Sequence, residues 1–77
     1  MDEMQKTMLA LELVEVLKNL EGITKMTLET PVMVTEILTS WIDKRYPMAI
    51  DPKTIKVVAS GSSIYVDIPE LRGIFDR

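Results

Sequence analysis

The chain has 77 residues, no cysteine, no histidine and a formal net charge of −3. A chain of this length forms one small domain that buries only about 60% of the surface exposed on unfolding. Without cysteine, disulfides and thiolate metal sites are excluded, and without histidine so is every Cys-His or Ser-His nucleophile pair. We therefore expect a single domain over residues 1–77 that is not an enzyme and holds no cofactor and no metal.

The distribution of charge and apolar residues bears on location. Residues 1–43 contain eight acidic and three basic residues, whereas residues 44–77 contain four acidic and six basic ones. No apolar run approaches the ~20 residues of a membrane span, and Met1-Asp2-Glu3 is not the basic start of a signal peptide. The sequence predicts an acidic cytoplasmic protein without a membrane partner, whose second half is mildly basic.

The first predicted element is a helix from about Glu3 to Leu20. Asp2 suits the N-cap position, with Gln5 completing a capping box, and Gly22 suits the left-handed position just past the end. One arc of this helix, about 160° wide, is apolar and should face the core. The arc comprises Leu9, Ala10, Leu13, Val14, Val16, Leu17 and Leu20.

A second apolar stripe lies on the same helix, away from that arc. This methionine stripe consists of Met1, Met4, Met8 and Leu11. Its spacing of three and four is typical of a short coiled-coil seam, and Glu12 and Glu15 lie beside it. Because so small a core cannot cover a helix on two sides, we predict that these six residues bind a second chain. The alternative is that the chain itself covers the stripe, either with the connector between the two predicted helices, Ile23 to Glu29, or with a C-terminal turn that contains Leu71, Ile74 and Phe75.

A second helix is predicted from Thr30, as N-cap, to about Arg45, with Pro31 at the first helical position. Its apolar positions follow helical spacing and should face the core. They are Val34, Ile37, Leu38, Trp41 and Ile42. The opposite side should be solvated, and it carries Thr35, Glu36, Thr39, Ser40 and Asp43.

The segment after Pro47 is predicted to turn, because the residue before a proline avoids the helical region. Residues 48–50 could add a very short edge strand. Asp51 to Thr54 suits a type I turn with proline in its second position.

A β-hairpin over Thr54 to Ile68 is the strongest local signal. Gly61-Ser62 suits a two-residue type II′ loop, and folding there places Lys56 opposite Asp67, which should form an ion pair. The same register pairs Ala59 with Ile64, Val58 with Tyr65, Val57 with Val66 and Ile55 with Ile68. One face of the hairpin is then entirely apolar and needs a cover.

Pro69 should end the second strand and start a short helical turn with Leu71, Ile74 and Phe75. The predicted fold is therefore α+β: two antiparallel helices packed on one face of a β-hairpin, with a short C-terminal helical turn. The predicted core comprises Leu9, Leu13, Leu17, Val34, Ile37, Leu38, Trp41, Ile42, Ile55, Val57, Ile64, Val66 and Ile68.

Two functions are compatible with these patterns. The first is a non-enzymatic interaction module, a small regulator or adaptor that forms a homodimer or binds another protein through the methionine stripe. The alternative is a nucleic-acid-binding module, because a two-stranded ribbon can enter a major groove and the hairpin half is basic. Its contacts would be Lys44, Arg45, Lys53 and Lys56.

Overall fold

The computed structural model describes residues 1–23 and 25–73, except for the side chain of Ile23. Its elements are α1 (Glu3–Ile23), α2 (Thr30–Arg45), a 3-10 turn (Pro52–Thr54), β1 (Lys56–Ser60), β2 (Ser63–Asp67) and a second 3-10 turn (Pro69–Leu71). The two strands form one antiparallel sheet. The predicted α+β arrangement is confirmed. Ile74 and Phe75 lie outside the described residues.

α1 begins where the sequence predicts and ends later. The backbone N–H of Gln5 donates to Asp2 Oδ1 at 2.8 Å, and the N–H of Asp2 donates to Gln5 Oε1 at 3.1 Å, so the capping box is confirmed. The helix continues through Gly22 to Ile23, so the predicted end at Leu20 is wrong. A glycine in a helix costs only about 1 kcal/mol relative to alanine, which the packing of the last turn against the hairpin can offset.

The N-cap residue of α2 is Glu29, one position before the predicted Thr30, and its side chain forms no capping hydrogen bond. Thr30 is buried within the first turn, and its Oγ1 accepts a hydrogen bond from the N–H of Thr27 at 2.9 Å. Thr27 Oγ1 in turn accepts from the N–H of Glu29 at 3.2 Å. The two threonines thus resemble a capping box in which a hydroxyl replaces the usual Glu or Gln. The prediction of Thr30 as N-cap is wrong, and the predicted end at Arg45 is confirmed.

Two consecutive turns connect α2 to β1. Met48 has a left-handed φ of 60°, which interrupts extended backbone, so the predicted edge strand over residues 48–50 is wrong. The predicted turn that follows is confirmed, because the N–H of Thr54 donates to the carbonyl of Asp51 at 3.0 Å. These turns bring Ile50 into the core.

The hairpin has the predicted register. Gly61 has a φ of 62° and Ser62 has no positive φ, which fits a type II′ loop and excludes type I′. The pairs are Lys56 with Asp67, Val57 with Val66, Val58 with Tyr65, Ala59 with Ile64 and Ser60 with Ser63. Its inner face is covered by the helices, since α1 contacts β2 and α2 contacts β1. On the outer face, Val58 and Tyr65 remain exposed.

Asp67 forms an ion pair with Arg72, and the predicted pair with Lys56 is wrong. Arg72 donates from Nε to Asp67 Oδ1 at 3.2 Å and from Nη2 to Oδ2 at 2.7 Å. A planar guanidinium matches both oxygens of a carboxylate, whereas an ammonium group is a single point charge. Lys56 therefore contributes only a weaker attraction from across the strand pair.

This pair makes a small part of the stability pH-dependent. Hydrogen bonding to Arg72, followed by its charge, holds the pKa of the Asp67 carboxyl below its ordinary value of 3.8. Because the folded-state pKa is the lower one, the stabilisation is present above the unfolded-state pKa and is lost as the pH falls through the folded-state pKa. In an NMR titration of the carboxyl carbon we expect a midpoint below 3.8, which Arg72→Gln should raise. An unchanged midpoint in that variant would contradict the assignment.

Within the described residues, the core draws its buried residues from α1, α2, β2, the second 3-10 turn and three isoleucines in the connecting segments, whereas β1 and the first 3-10 turn contribute none. Its buried residues are Leu9, Leu13, Leu17, Val34, Leu38, Ile42, Ile50, Ile55, Ile64, Val66, Ile68 and Leu71. The predicted core residues Trp41 and Val57 are only partly buried. Ile37 is 39% exposed, so the prediction that it belongs to the core is wrong. It lies about 100° around the helix axis from the buried Leu38, at the edge of the buried arc. Val14, on the predicted core arc of α1, is also exposed.

Candidate functional site

α1 has apolar residues on two opposite sides. Leu9, Leu13 and Leu17 face the core and are buried. The centre of the methionine stripe lies about 160° away around the helix axis, counting about 100° per residue. Its exposed fractions are 36% for Met1, 73% for Met4, 50% for Met8 and 66% for Leu11.

The described residues leave this stripe open to solvent. Leu71, in the C-terminal turn, belongs to the core cluster with Leu9 and Leu13 and so lies on the other side of α1. In the connector, Leu28 is itself almost fully exposed. Sequence reasoning missed Val14, which follows Leu11 by one helical turn and extends the exposed apolar surface. Its position at the border of two apolar arcs is the signal that could have identified it.

The two acidic residues predicted beside the stripe have different surroundings. Glu12 Oε2 is buried and lies 2.7 Å from Nη1 of Arg45. This ion pair compensates for the burial of the charged oxygen, which has no hydrogen-bond partner among the described residues. The guanidinium of Arg45 also lies 4.9 Å from the ring centroid of Trp41, a cation–π distance. Glu12 is therefore held by its own chain and forms one fixed edge of the stripe. Glu15 is exposed, with no ion pair to any described residue.

The four basic residues of the alternative prediction lie on three elements. Lys44 and Arg45 are in α2, Lys53 is in the first 3-10 turn and Lys56 is in β1. Arg45 is engaged by Glu12 and stacks on Trp41, so part of its charge is already compensated. The structure thus gives no specific support to a phosphate-binding surface, and nucleic-acid binding stays a prediction.

The side of α2 that was predicted to be solvated forms the wall of a cleft. The floor is formed largely by the segment that follows the helix, through Ile50, Pro52 and Ile55, and the cleft has a volume of about 510 Å³. The signal in the sequence is the pair Pro47 and Pro52, which turn the chain back alongside the helix that it has just left. We refer to this space as the α2 cleft.

Neither the structure nor comparison with known proteins assigns a chemical activity. Within residues 1–23 and 25–73, no three carboxylates lie together in an arrangement that could hold a metal ion. Over the same ranges, no helix is long and apolar enough to cross a membrane. No family model, no curated protein and no solved structure matches the chain.

Proposed function

We propose that the protein is a non-enzymatic interaction module that forms a homodimer through the methionine stripe of α1. The observation that carries the proposal is the exposure of Met4, Met8 and Leu11, at 73%, 50% and 66%, on the side of α1 opposite the core. Clustered exposed apolar residues on a small domain mark sites of association. The proposal keeps the cytoplasmic location predicted from the cysteine-free sequence.

The free energy available from this surface supports a weak to moderate dimer. Full burial of a methionine or leucine side chain contributes about 1.5–3 kcal/mol, and these residues are roughly half exposed to begin with. Summed over the stripe in both copies, the gain is on the order of 10 kcal/mol, whereas the loss of translational and rotational freedom costs about 4–15 kcal/mol. The stripe is also short, about 15 Å along the helix axis. The gain exceeds the cost by about 6 kcal/mol at most, so we expect a dissociation constant of tens of micromolar or weaker.

The charges that flank the stripe favour a second copy as the partner. In a two-fold antiparallel pairing centred between Met8 and Leu11, each end of one helix meets the opposite end of the other. Lys18 continues the line of the stripe towards the C-terminus of α1, so in this pairing it comes level with the acidic first residues of the other copy, Asp2 and Glu3. Glu3 is shared with Lys6 of its own chain, so this attraction offsets only part of the repulsion between two acidic chains.

Replacement of Met4 and Met8 by glutamate is expected to abolish the dimer without affecting the fold. Sedimentation equilibrium over a micromolar-to-millimolar concentration series should show the wild-type mass rising from one chain to two. The M4E/M8E variant should remain a monomer, because four carboxylates would be buried in the seam. Its circular dichroism and urea midpoint should match the wild type, since both positions are exposed.

A matched control separates the stripe from net charge. Leu28 and Val32 are also exposed apolar residues, and their replacement by glutamate adds the same two charges elsewhere. The L28E/V32E variant should dimerise like the wild type. A wild type that is monomeric throughout, an M4E/M8E variant that still dimerises, or equal loss in both variants would each overturn the proposal.

A further inference from the structure

The α2 cleft has an apolar floor and a polar wall. The floor consists of Ile42, Ile50, Pro52 and Ile55, contributed by α2 and by the segment that leads to β1. The wall consists of Thr35, Glu36, Thr39, Ser40 and Asp43, and Tyr46 lies where the segment leaves the helix. A volume of about 510 Å³ is within the range of small-molecule sites in proteins. The cleft can therefore hold the body of a small organic molecule.

The charged groups of the wall are both carboxylates. Glu36 and Asp43 are seven residues apart, two turns of α2, and the hydroxyls of Thr39 and Ser40 lie between them. Asp43 accepts one long hydrogen bond through Oδ1 from the N–H of Met48, at 3.4 Å, and neither carboxylate forms an ion pair with a described residue. Lys44 follows Asp43 in the sequence and Lys53 follows Pro52, but neither lysine lines the cleft.

We propose that the α2 cleft binds small organic cations, in which an ammonium group contacts the wall and an apolar chain lies on the isoleucine floor. The carboxylates attract a cation and repel an anion, and the hydroxyl oxygens can accept the remaining ammonium protons. Thr35 is suited to this because its hydroxyl already donates to the carbonyl of Pro31 at 2.7 Å, which leaves its lone pairs as acceptors. The site is independent of the methionine stripe.

The test uses three probes of one length: hexylammonium, 1-hexanol and hexanoate. Binding is followed by amide chemical shifts in the M4E/M8E variant, which removes the methionine stripe as a competing apolar surface. We expect hexylammonium to bind with a millimolar dissociation constant and to shift Thr39, Ile42 and Ile55. Hexanol, which loses the attraction of both carboxylates, should bind about four- to twenty-five-fold more weakly, and hexanoate more weakly still. Butylammonium should bind about tenfold more weakly, because two fewer methylenes are buried.

Three variants within the cleft and one control outside it assign the affinity to the cleft. Glu36→Gln and Asp43→Asn preserve shape and should each weaken hexylammonium about two- to fivefold, whereas Glu70→Gln, outside the cleft, should have no effect. Thr39→Phe should fill the cleft and abolish the shifts. The proposal is overturned if hexylammonium does not bind, if hexanol or hexanoate binds equally well, if the shifts lie outside the cleft, or if Glu70→Gln weakens binding as much as Asp43→Asn.

Discussion

Leu71→Ala is expected to lower the free energy of unfolding by about 3 kcal/mol, the usual cost of removing a fully buried leucine. Leu71 is 0% exposed although it lies in a turn of only three residues after the hairpin. It belongs to the same core cluster as Leu9 and Leu13, and its turn contacts α1, so its loss should leave a cavity beside that helix. A domain of this size has a total stability of about 4–11 kcal/mol, so the variant should lose between about a quarter and three quarters of it.

Urea denaturation followed by circular dichroism measures this effect. The control is Ile37→Ala, which removes an apolar residue that the helical pattern places in the core but that is 39% exposed. We expect Ile37→Ala to lower the free energy of unfolding by less than about 1 kcal/mol, because the isoleucine side chain is only partly buried and its removal leaves no closed cavity. A larger loss at Ile37 than at Leu71 would show that the assignment of the core is wrong.

Glu21→Ala is the second large expected effect, at about 1.5–3 kcal/mol. Oε2 of Glu21, near the end of α1, accepts a hydrogen bond from the backbone N–H of Ile64 in β2. In an antiparallel hairpin, hydrogen-bonded and non-hydrogen-bonded pairs alternate, and Ser60 with Ser63 is the hydrogen-bonded pair that closes the loop. The next pair, Ala59 with Ile64, is therefore not hydrogen-bonded, and the N–H of Ile64 points away from β1. Alanine would leave a partly buried donor without a partner.

Glu21→Gln isolates the hydrogen bond from the packing of the side chain. Glutamine keeps an acceptor oxygen at the same reach but loses the charge, so we expect it to retain about half of the contribution. Amide hydrogen exchange at Ile64 should accelerate in the alanine variant and change less in the glutamine variant. Equal urea midpoints for the wild type and the alanine variant would contradict the expectation.

The hairpin could be predicted in detail because its determinants are local. The Gly61-Ser62 loop and the alternation on either side of it specify the same register, so Lys56 and Asp67 are opposed as expected. The ion pair of Asp67 could not be predicted in the same way. Arg72 reaches it only after Pro69 turns the chain, and periodicity carries no information about that turn.

The errors occur where a distant contact determines the local structure. Gly22 would end an isolated helix, but α1 continues because Glu21 is bound to the hairpin. Thr30 has the composition of an N-cap, yet it is buried and accepts a bond from Thr27. Leu71 is one apolar residue in a short segment, and only its position beneath α1 shows that it belongs to the core.

The two candidate sites differ in how far they could be predicted. The methionine stripe follows from helical periodicity alone, and its exposure agrees with the angle between it and the core arc. The engagement of Glu12 by Arg45 and the α2 cleft both depend on how separate elements are placed. Hydroxyls and carboxylates at helical spacing are typical of a solvated helix face. They line a cleft only because the segment from Tyr46 to Ile55 folds back alongside α2.

The double-sided character of α1 has a consequence for the order of folding. The hairpin closes through a two-residue loop, so it can form early from neighbouring residues. The residues that cover α1, by contrast, lie about 40 to 60 positions later in the chain, at Ile64 and Leu71, and such distant contacts form slowly. Until then both of its apolar sides are in water. We expect docking of α1 to be the rate-limiting step, and the state that precedes it to be the species most prone to aggregate.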